Sequence, residues 1–217
     1  MRTRKPAISL LAWPIALSLL FLASSPVSSQ QEKSPRRGGP QLWAMLIGIQ
    51  QYEESLAFPR CRGAAADAAS LARWLIDTAG WGPDHVLLLT DRDLTTLGFT
   101  DPARLPEYRP PTKANLDWGA RQWLPERAKP GDVVVIFFAG QAVGLMPRPD
   151  EPPGRPHRDY LLPVDVRAAN VDTTGWVLGD AIDELAARGH NPIVCLLDTS
   201  PAGRVRSPVV LGDPPRV

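Results

Sequence analysis

The sequence contains few of the residues that build metal centres and disulfide frameworks. It has two Cys and three His among 217 residues, and none of them has the spacing of zinc ligands. Positive charge is not concentrated either: 24 Lys and Arg stand against 23 Asp and Glu, without the basic stripe that binds phosphate backbones. We therefore expect no metal, no cofactor and no nucleic-acid partner. The apolar share of 44% predicts a folded domain with a core.

Phosphate-binding and serine-hydrolase motifs are also absent. No G-x-G-x-x-G follows a predicted strand and no G-x-x-x-x-G-K-[ST] occurs in the chain, so nucleotide binding has no sequence support. Ser200 lacks the flanking glycines of the G-x-S-x-G elbow, because Asp198 and Ala202 occupy those places. The sequence therefore gives no indication of a conventional serine hydrolase.

The N-terminal segment has the composition of a secretory signal. A basic start precedes an apolar run over residues 8–23, and small polar residues follow up to Ser29. We predict a signal peptide over residues 1–29, a linker over residues 30–40, and export to the periplasm or the extracellular space, with no stable membrane span after cleavage. The alternative is an uncleaved anchor, which Pro14 and a run shorter than about 20 residues disfavour.

From residue 41 the spacing of apolar residues alternates between strand and helix periods. This alternation, with strands apolar on both faces, is typical of an α/β domain with a mainly parallel sheet covered on both sides. Two proline-rich stretches, residues 102–111 and 147–163, are predicted to be loops. The predicted strands span residues 42–49, 85–89, 132–138 and 192–197, and the predicted helices span residues 64–79, a segment capped by Thr112 that runs to Leu124, and residues 177–188 before Gly189.

Motifs follow one another in a fixed order through this domain. They include R-G-A-A-A-D-A (62–68), K-P-G-D-V-V-V-I-F-F-A-G (129–140), D-Y-L-L-P-V-D (159–165) and L-L-D-T-S-P-A-G (196–203). The order resembles the caspase-like peptidases, in particular the bacterial metacaspase-like branch. The resemblance implies a caspase-like three-layer sandwich over residues 41–203, followed by a short proline-containing tail over residues 204–217.

The resemblance also identifies two catalytic positions, both of which are substituted. The family places a His in an S-G-H-G motif after the third strand and a Cys in a D-x-C-x-S-G motif after the fourth, where this chain has Gln141 and Ser200. A Gln amide does not titrate near neutral pH, and a Ser without a base is a poor nucleophile. Loss of one member of such a pair can cost about 10⁶ in turnover. We therefore expect no useful peptidase activity.

An acidic substrate pocket is a further implication of the resemblance. Its two carboxylates correspond to Asp67 and Asp198, which would favour ligands with Arg or Lys side chains. The alternative is structural, with Asp67 stabilising a helix N-terminus and Asp198 accepting hydrogen bonds in a turn. Cys61 and Cys195 are interpreted as structural thiols, and a disulfide between them after export is left open.

The segment after the fourth strand is short compared with the family pattern. We expect the C-terminal part of the family fold to be missing and the apolar fourth strand to have an open edge for self-association or partner binding. Alternatively, residues 205–211 fold back as a poor strand. The leading hypothesis is an inactive pseudopeptidase that binds a protein or peptide ligand. The alternatives are an active cysteine-type endopeptidase using another thiol, or a truncated remnant.

Overall fold

A six-stranded, mainly parallel sheet is the centre of the fold. A computed structural model describes residues 39–145, 158–189 and 191–201, so the predicted signal peptide, most of the linker and the tail lie outside the described residues. The predicted α/β class is confirmed. The strands are β1 (Leu42–Gly48), β2 (Val86–Thr90), β3 (Glu107–Arg109), β4 (Val133–Leu145), β5 (Arg158–Leu161) and β6 (Ile193–Pro201).

The strand order places β1 at the centre of the sheet. The order is β3-β2-β1-β4-β5, and β6 pairs with β4 as well. All pairs are parallel except β4 with β5, which is antiparallel. From Ala44 to Ile47 no side chain of β1 is exposed, because helices cover both of its faces. Its apolar run without alternation is typical of such a two-sided strand.

Helices cover the two faces of the sheet in different ways. One face holds α1, whose alanines (Ala65, Ala68, Ala69 and Ala72) pack against Leu46 and Leu88. The opposite face carries larger side chains, among them Trp123 and Leu185, in one cluster with Met45. The helices are α1 (Ala64–Arg73), α2 (Lys113–Trp118), α3 (Leu124–Arg127), α4 (Val171–Thr174) and α5 (Leu178–Gly189). In the described part of the chain no helix is long and apolar enough to cross a bilayer.

A buried carboxylate fixes the start of β1 beside the start of β4. Asp132 accepts hydrogen bonds from the backbone N–H of Gln41 at 2.7 Å and of Lys129 at 2.9 Å, and from Trp43 Nε1 at 3.1 Å. Burial raises its pKa, but these donors more than offset burial, so its pKa lies below the usual range. The ionised Asp132 therefore holds the two strands in register at their amino ends.

The helices begin near the predicted residues, but two of them contain π-helical segments that were not predicted. Thr112 caps α2 as predicted, since its Oγ1 accepts a hydrogen bond from Asn115 N at 3.3 Å. The helix predicted over 64–79 becomes π-helical over Trp74–Thr78. The one predicted from Thr112 to Leu124 has a π-helical turn over Gly119–Trp123 and then continues as α3.

The prediction that both proline-rich stretches are loops was wrong in part. Within residues 102–111 lies β3, which pairs in parallel with β2 at the sheet edge. Within residues 147–163 lies β5, paired with the end of β4. An edge strand tolerates neighbouring prolines because only one of its sides needs backbone donors.

The third and fourth predicted strands are longer than predicted. The third was predicted to end at Phe138 and the fourth at Leu197, but β4 continues to Leu145 and β6 to Pro201. Residues predicted to form loops therefore pair as strands, from Ala139 with Asp198 to Ala142 with Pro201. This extension determines where the candidate site lies.

Close packing of α1 on β1 at Gly48 gives a stability prediction. A Cβ at Gly48 would lie 2.8 Å from Ala68 Cβ and 2.9 Å from Ala65 Cα. We expect Gly48→Ala to lower the free energy of unfolding by about 1–3 kcal/mol through overpacking. The matched control is Gly179→Ala in α5, where the added Cβ would have no atom within 4 Å apart from the neighbouring residues and the backbone of α5 itself, and helix propensity favours Ala by up to about 1 kcal/mol. Urea denaturation compares the two, and equal stability would contradict the packing argument.

Candidate functional site

The two residues predicted to stand at the catalytic positions are direct neighbours across a strand pair. In the register of β4 with β6, Gln141 is the partner of Ser200. Adjacent strands lie about 4.8 Å apart, and register partners in a parallel pair point to the same face. The structure therefore brings Gln141 and Ser200 together, on paired strands near the carboxyl end of the sheet and not on the loops that sequence reasoning expected.

Cys61 also lies at this site, a contact that sequence reasoning, which interpreted it as a structural thiol, did not predict. Its thiol interacts with the side chains of both Gln141 and Ser200, and the charge of Asp198 also acts on it. Its backbone N–H donates to the Gln50 carbonyl at 2.9 Å, which ties it to the end of β1. The sequence signal for this contact was the position of Cys61 between the end of the first strand and the first helix. In parallel sheets, binding and catalytic residues commonly lie at the carboxyl ends of the strands. Cys61 and Cys195 are both free thiols.

The environment of Cys61 keeps its thiol protonated at neutral pH. Burial raises its pKa, the side chains of Gln141 and Ser200 lower it, and the nearby carboxylates of Asp198 and Asp91 raise it again. The net effect is a pKa above the usual range. Because the thiolate is the nucleophilic form, this environment disfavours covalent catalysis.

Gln141 is only 2% exposed and is held by hydrogen bonds from its backbone and its side chain. Its backbone N–H donates to the Tyr52 hydroxyl at 2.7 Å, and its Nε2 donates to the Pro59 carbonyl. Within the described residues its Oε1 has no hydrogen-bond partner. Burial raises the pKa of Tyr52 far above its usual value, so the phenol stays neutral. The amide is thus fixed by the β1–α1 connection that also carries Cys61.

A glycine permits this arrangement. A Cβ at Gly140 would lie 2.9 Å from the Tyr52 hydroxyl and 3.1 Å from the Phe138 ring. Without a side chain there, the phenol can reach the backbone of β4. The role of Gly140, directly before Gln141, is therefore close packing.

Asp91 organises the loop that carries Tyr52 and Cys61. Its two carboxylate oxygens accept from the backbone N–H groups of Gln50 at 2.8 Å and Gln51 at 2.9 Å. Asp91 directly follows β2, so one carboxylate connects the carboxyl ends of β1 and β2. Two donors that would otherwise lack partners are satisfied in this way.

The two predicted pocket carboxylates lie on different elements. Asp198 is on β6, two residues before Ser200 and exposed, so it shares the face of Ser200. Asp67 is exposed in the first turn of α1, where its N–H donates to the Gly63 carbonyl at 2.8 Å. No contact between described residues joins the two carboxylates. The acidic pocket formed by both therefore stays a prediction.

The described residues contain one imidazole, and it is at the other end of the sheet. His85 stacks on Trp43 with ring centroids 4.0 Å apart, and its Nδ1 lies 2.9 Å from the Leu42 carbonyl. These contacts belong to the amino ends of the strands. His157 and His190 lie outside the described residues. Among those described, no imidazole can accept a proton from Ser200 or Cys61.

Comparison with known proteins agrees with this architecture. A profile described as "Metacaspase, peptidase C14 domain" matches residues 43–205. The chain is 28% identical to Metacaspase-1 of Yarrowia lipolytica over 165 residues, 74% of this chain and 31% of that protein. It is 28% and 29% identical to Metacaspase-1B of Aspergillus fumigatus and Aspergillus terreus over 153 residues, 70% of this chain and 32% and 35% of theirs.

The chain thus spans about a third of the length of these relatives. The matched region contains every described strand from β1 to β6, apart from Leu42 at the start of β1. It also contains Cys61, Gln141 and Ser200. On this ground the chain belongs to the metacaspase family, as a peptidase C14 domain.

Proposed function

We propose that this metacaspase-family domain binds peptide segments without cleaving them. The observation that carries the proposal is the pairing of a buried amide, Gln141, with a hydroxyl, Ser200, around a protonated thiol, Cys61. No member of this trio accepts a proton readily near neutral pH. A site of this kind retains hydrogen-bonding groups for a bound chain but lacks an activated nucleophile. The proposed place of action is outside the cytoplasm, after export.

Negative charge at the site favours a basic ligand. Asp198 and Ser200 share one exposed face at the end of β6, and Asp91 adds a second carboxylate near Cys61. An Arg or Lys side chain would form a partly solvated ion pair with Asp198. The contribution of this ion pair to the binding free energy would weaken with added salt. The proposed ligand is therefore a peptide or protein segment with a basic side chain, and Asp67 is the proposed second carboxylate of its pocket.

A second candidate function has one observation in its favour. Cys61 lies against both substituted positions, so a thiol is present at the site although the family's Cys is replaced. An active cysteine-type endopeptidase would require this thiol to ionise and a base to assist it. The raised pKa of Cys61 opposes the first requirement, and the one imidazole among the described residues, His85, lies at the other end of the sheet. This candidate is therefore the weaker one.

The first functional prediction separates binding from turnover. Fluorogenic peptides with Arg, Lys or Asp before the scissile bond should show no hydrolysis above buffer, with or without calcium. Binding of the Arg peptide, measured by fluorescence anisotropy, should weaken by about tenfold in Asp198→Asn, because a charge-assisted contact is lost. Asp84→Asn, an exposed carboxylate at the amino end of β2, is the matched control and should bind like the parent. Turnover abolished by Cys61→Ala would contradict the proposal.

The second prediction concerns restoration of the pair. In Gln141→His with Ser200→Cys, the introduced imidazole would face the introduced thiol across one strand pair and stabilise its thiolate. We expect alkylation of that thiol at pH 7 to be about tenfold faster than in Ser200→Cys alone, since the thiolate fraction rises as the pKa falls. Iodoacetamide labelling followed by peptide mass spectrometry measures both rates. Equal rates would mean that the register neighbours are not within reach of each other.

The third prediction concerns the native thiol. Because the Cys61 pKa is raised, its alkylation should be slow at pH 7 and should increase with pH above about 8.5, the ordinary pKa of a free thiol. Ser200→Ala removes an interaction that favours the thiolate, so the midpoint of the Cys61 profile should move upward. Cys195, whose raised pKa has burial as its cause, is the internal control and should not move. A Cys61 profile that reaches its plateau below pH 8 would instead support the second candidate.

A further inference from the structure

A cavity of about 140 Å³ lies between α3, α5 and the amino end of β4. Val134 in its wall precedes Gln141 by seven residues on β4, which corresponds to roughly 23 Å along a strand. The cavity is therefore separate from the candidate site. Its apolar lining consists of Leu124, Pro125, Ala128, Pro130, Val134 and Leu185, and its polar lining consists of Arg188 and Asn191.

The walls of the cavity are held in place by the core and by one side-chain amide. Val134 and Leu185 are buried and belong to the main apolar cluster of the domain. Asn191 Nδ2 donates to the Lys129 carbonyl at 2.8 Å and to the Asp132 carbonyl at 2.9 Å. These two bonds hold the turn before β4 against the segment before β6. Because the walls are already fixed, a ligand would not have to order them when it binds.

The volume and the apolar walls determine the size of a suitable ligand. A dry apolar cavity of roughly 150 Å³ holds one benzene molecule. The present cavity is nearly as large, so it fits a compact apolar body of about six carbon atoms. An extended peptide chain is too large to enter it.

Positive charge at the mouth of the cavity determines the polar end of the ligand. Glu184 is shared by two guanidinium groups, since its Oε2 lies 3.0 Å from Arg121 Nε and its Oε1 lies 2.7 Å from Arg188 Nη2. These three side chains together carry one net positive charge. Arg188 is half exposed and also donates from Nη1 to the Arg121 carbonyl at 3.1 Å. Contacts between described residues thus leave some of its five N–H groups for a ligand.

We propose that this cavity binds a small monocarboxylic acid with an apolar body of about six carbon atoms. The apolar body packs against Val134 and Leu185, and the ionised carboxylate accepts hydrogen bonds from Arg188 at the mouth. Such a charge-assisted pair is stronger than a neutral hydrogen bond. The carboxylate also supplies the second negative charge for the two guanidinium groups. This site differs from the proposed peptide site in its place and in the sign of the charge that it attracts, so neither proposal rests on the other.

Titration of the purified full chain with hexanoate tests the assignment, with ¹H–¹⁵N correlation spectra as the readout. Saturable shift changes should map to amides around the cavity, among them Ala128, Leu185 and Asn191. Butanoate should bind about fifteenfold more weakly, because it buries two fewer methylenes and each contributes a factor of about four. 1-Hexanol, which lacks the charge, should bind about fivefold more weakly than hexanoate. Shift changes that do not saturate or that map elsewhere, or equal affinities for hexanoate and 1-hexanol, overturn the proposal.

A second ligand comparison identifies the source of the carboxylate. N-Acetylleucine represents the carboxyl end of a peptide. It should bind more weakly than hexanoate, because its amide would lose hydration against the apolar walls. Tighter binding of N-acetylleucine would assign the cavity to a peptide terminus and overturn the assignment to a small acid.

Two substitutions separate the contribution of the charge from that of the cavity. Arg188→Gln should weaken hexanoate binding about fivefold and leave 1-hexanol binding unchanged, because the carboxylate has lost its charged partner. The matched control is Arg104→Gln, since Arg104 is also half exposed and lies 2.6 Å from a carboxylate, that of Asp77; it should bind both ligands like the parent. Ala128→Leu should weaken both at least about tenfold by filling the cavity. Equal effects of Arg188→Gln and Arg104→Gln overturn the proposal, and no outcome bears on the peptide-binding function.

Discussion

The parallel pairing of β4 with β6 is the constraint on which the candidate site depends. It continues as far as Ala142 and Pro201, so backbone hydrogen bonds hold Gln141 beside Ser200. The Cα atoms of the two residues cannot separate without breaking the ladder between the strands. Their spacing therefore depends on the sheet and not on which side chains stand at the two positions.

The loop after β1 adds a third side chain, that of Cys61, to the pair formed by Gln141 and Ser200. Asp91 fixes its first residues, and Tyr52 reaches over Gly140 to accept the Gln141 N–H. These contacts bring Cys61 against Gln141 and Ser200. At the position that the resemblance assigns to the catalytic His lies a buried amide, Gln141, which does not titrate near neutral pH. Among the described residues no imidazole lies at this site, and our proposal of binding without cleavage rests on that arrangement, because binding requires only position and hydrogen bonds.

Much of the fold could be predicted from the sequence because its strands are apolar on both faces. The order of strands and helices, the helix cap at Thr112 and the family resemblance all follow from local patterns. The ends of β4 and β6 could not be predicted in this way, since Gly140 and Pro201 are ordinary loop signals. Pairing with a neighbouring strand keeps these residues extended, and that pairing is a tertiary effect.

The same reason explains why part of the site was missed. The positions of Gln141 and Ser200 follow from the motif order, whereas the contact of Cys61 with both depends on how the β1–α1 connection folds over the sheet. No spacing of residues in the sequence predicts that contact. The three-residue strand β3 was missed for a related reason, because prolines on both sides resemble a loop and only the exposed edge of β2 makes the strand stable.

Intact-mass spectrometry with an electrophilic peptide tests the central claim most directly. A peptidyl acyloxymethyl ketone with Arg at its reactive end alkylates cysteine peptidases at their activated thiol. Our account predicts saturable binding of this peptide with no increase in protein mass at pH 7, because neither Ser200 nor Cys61 is activated. A stoichiometric mass increase that maps to Cys61 or Ser200, and that a non-reactive Arg peptide prevents by competition, would contradict it.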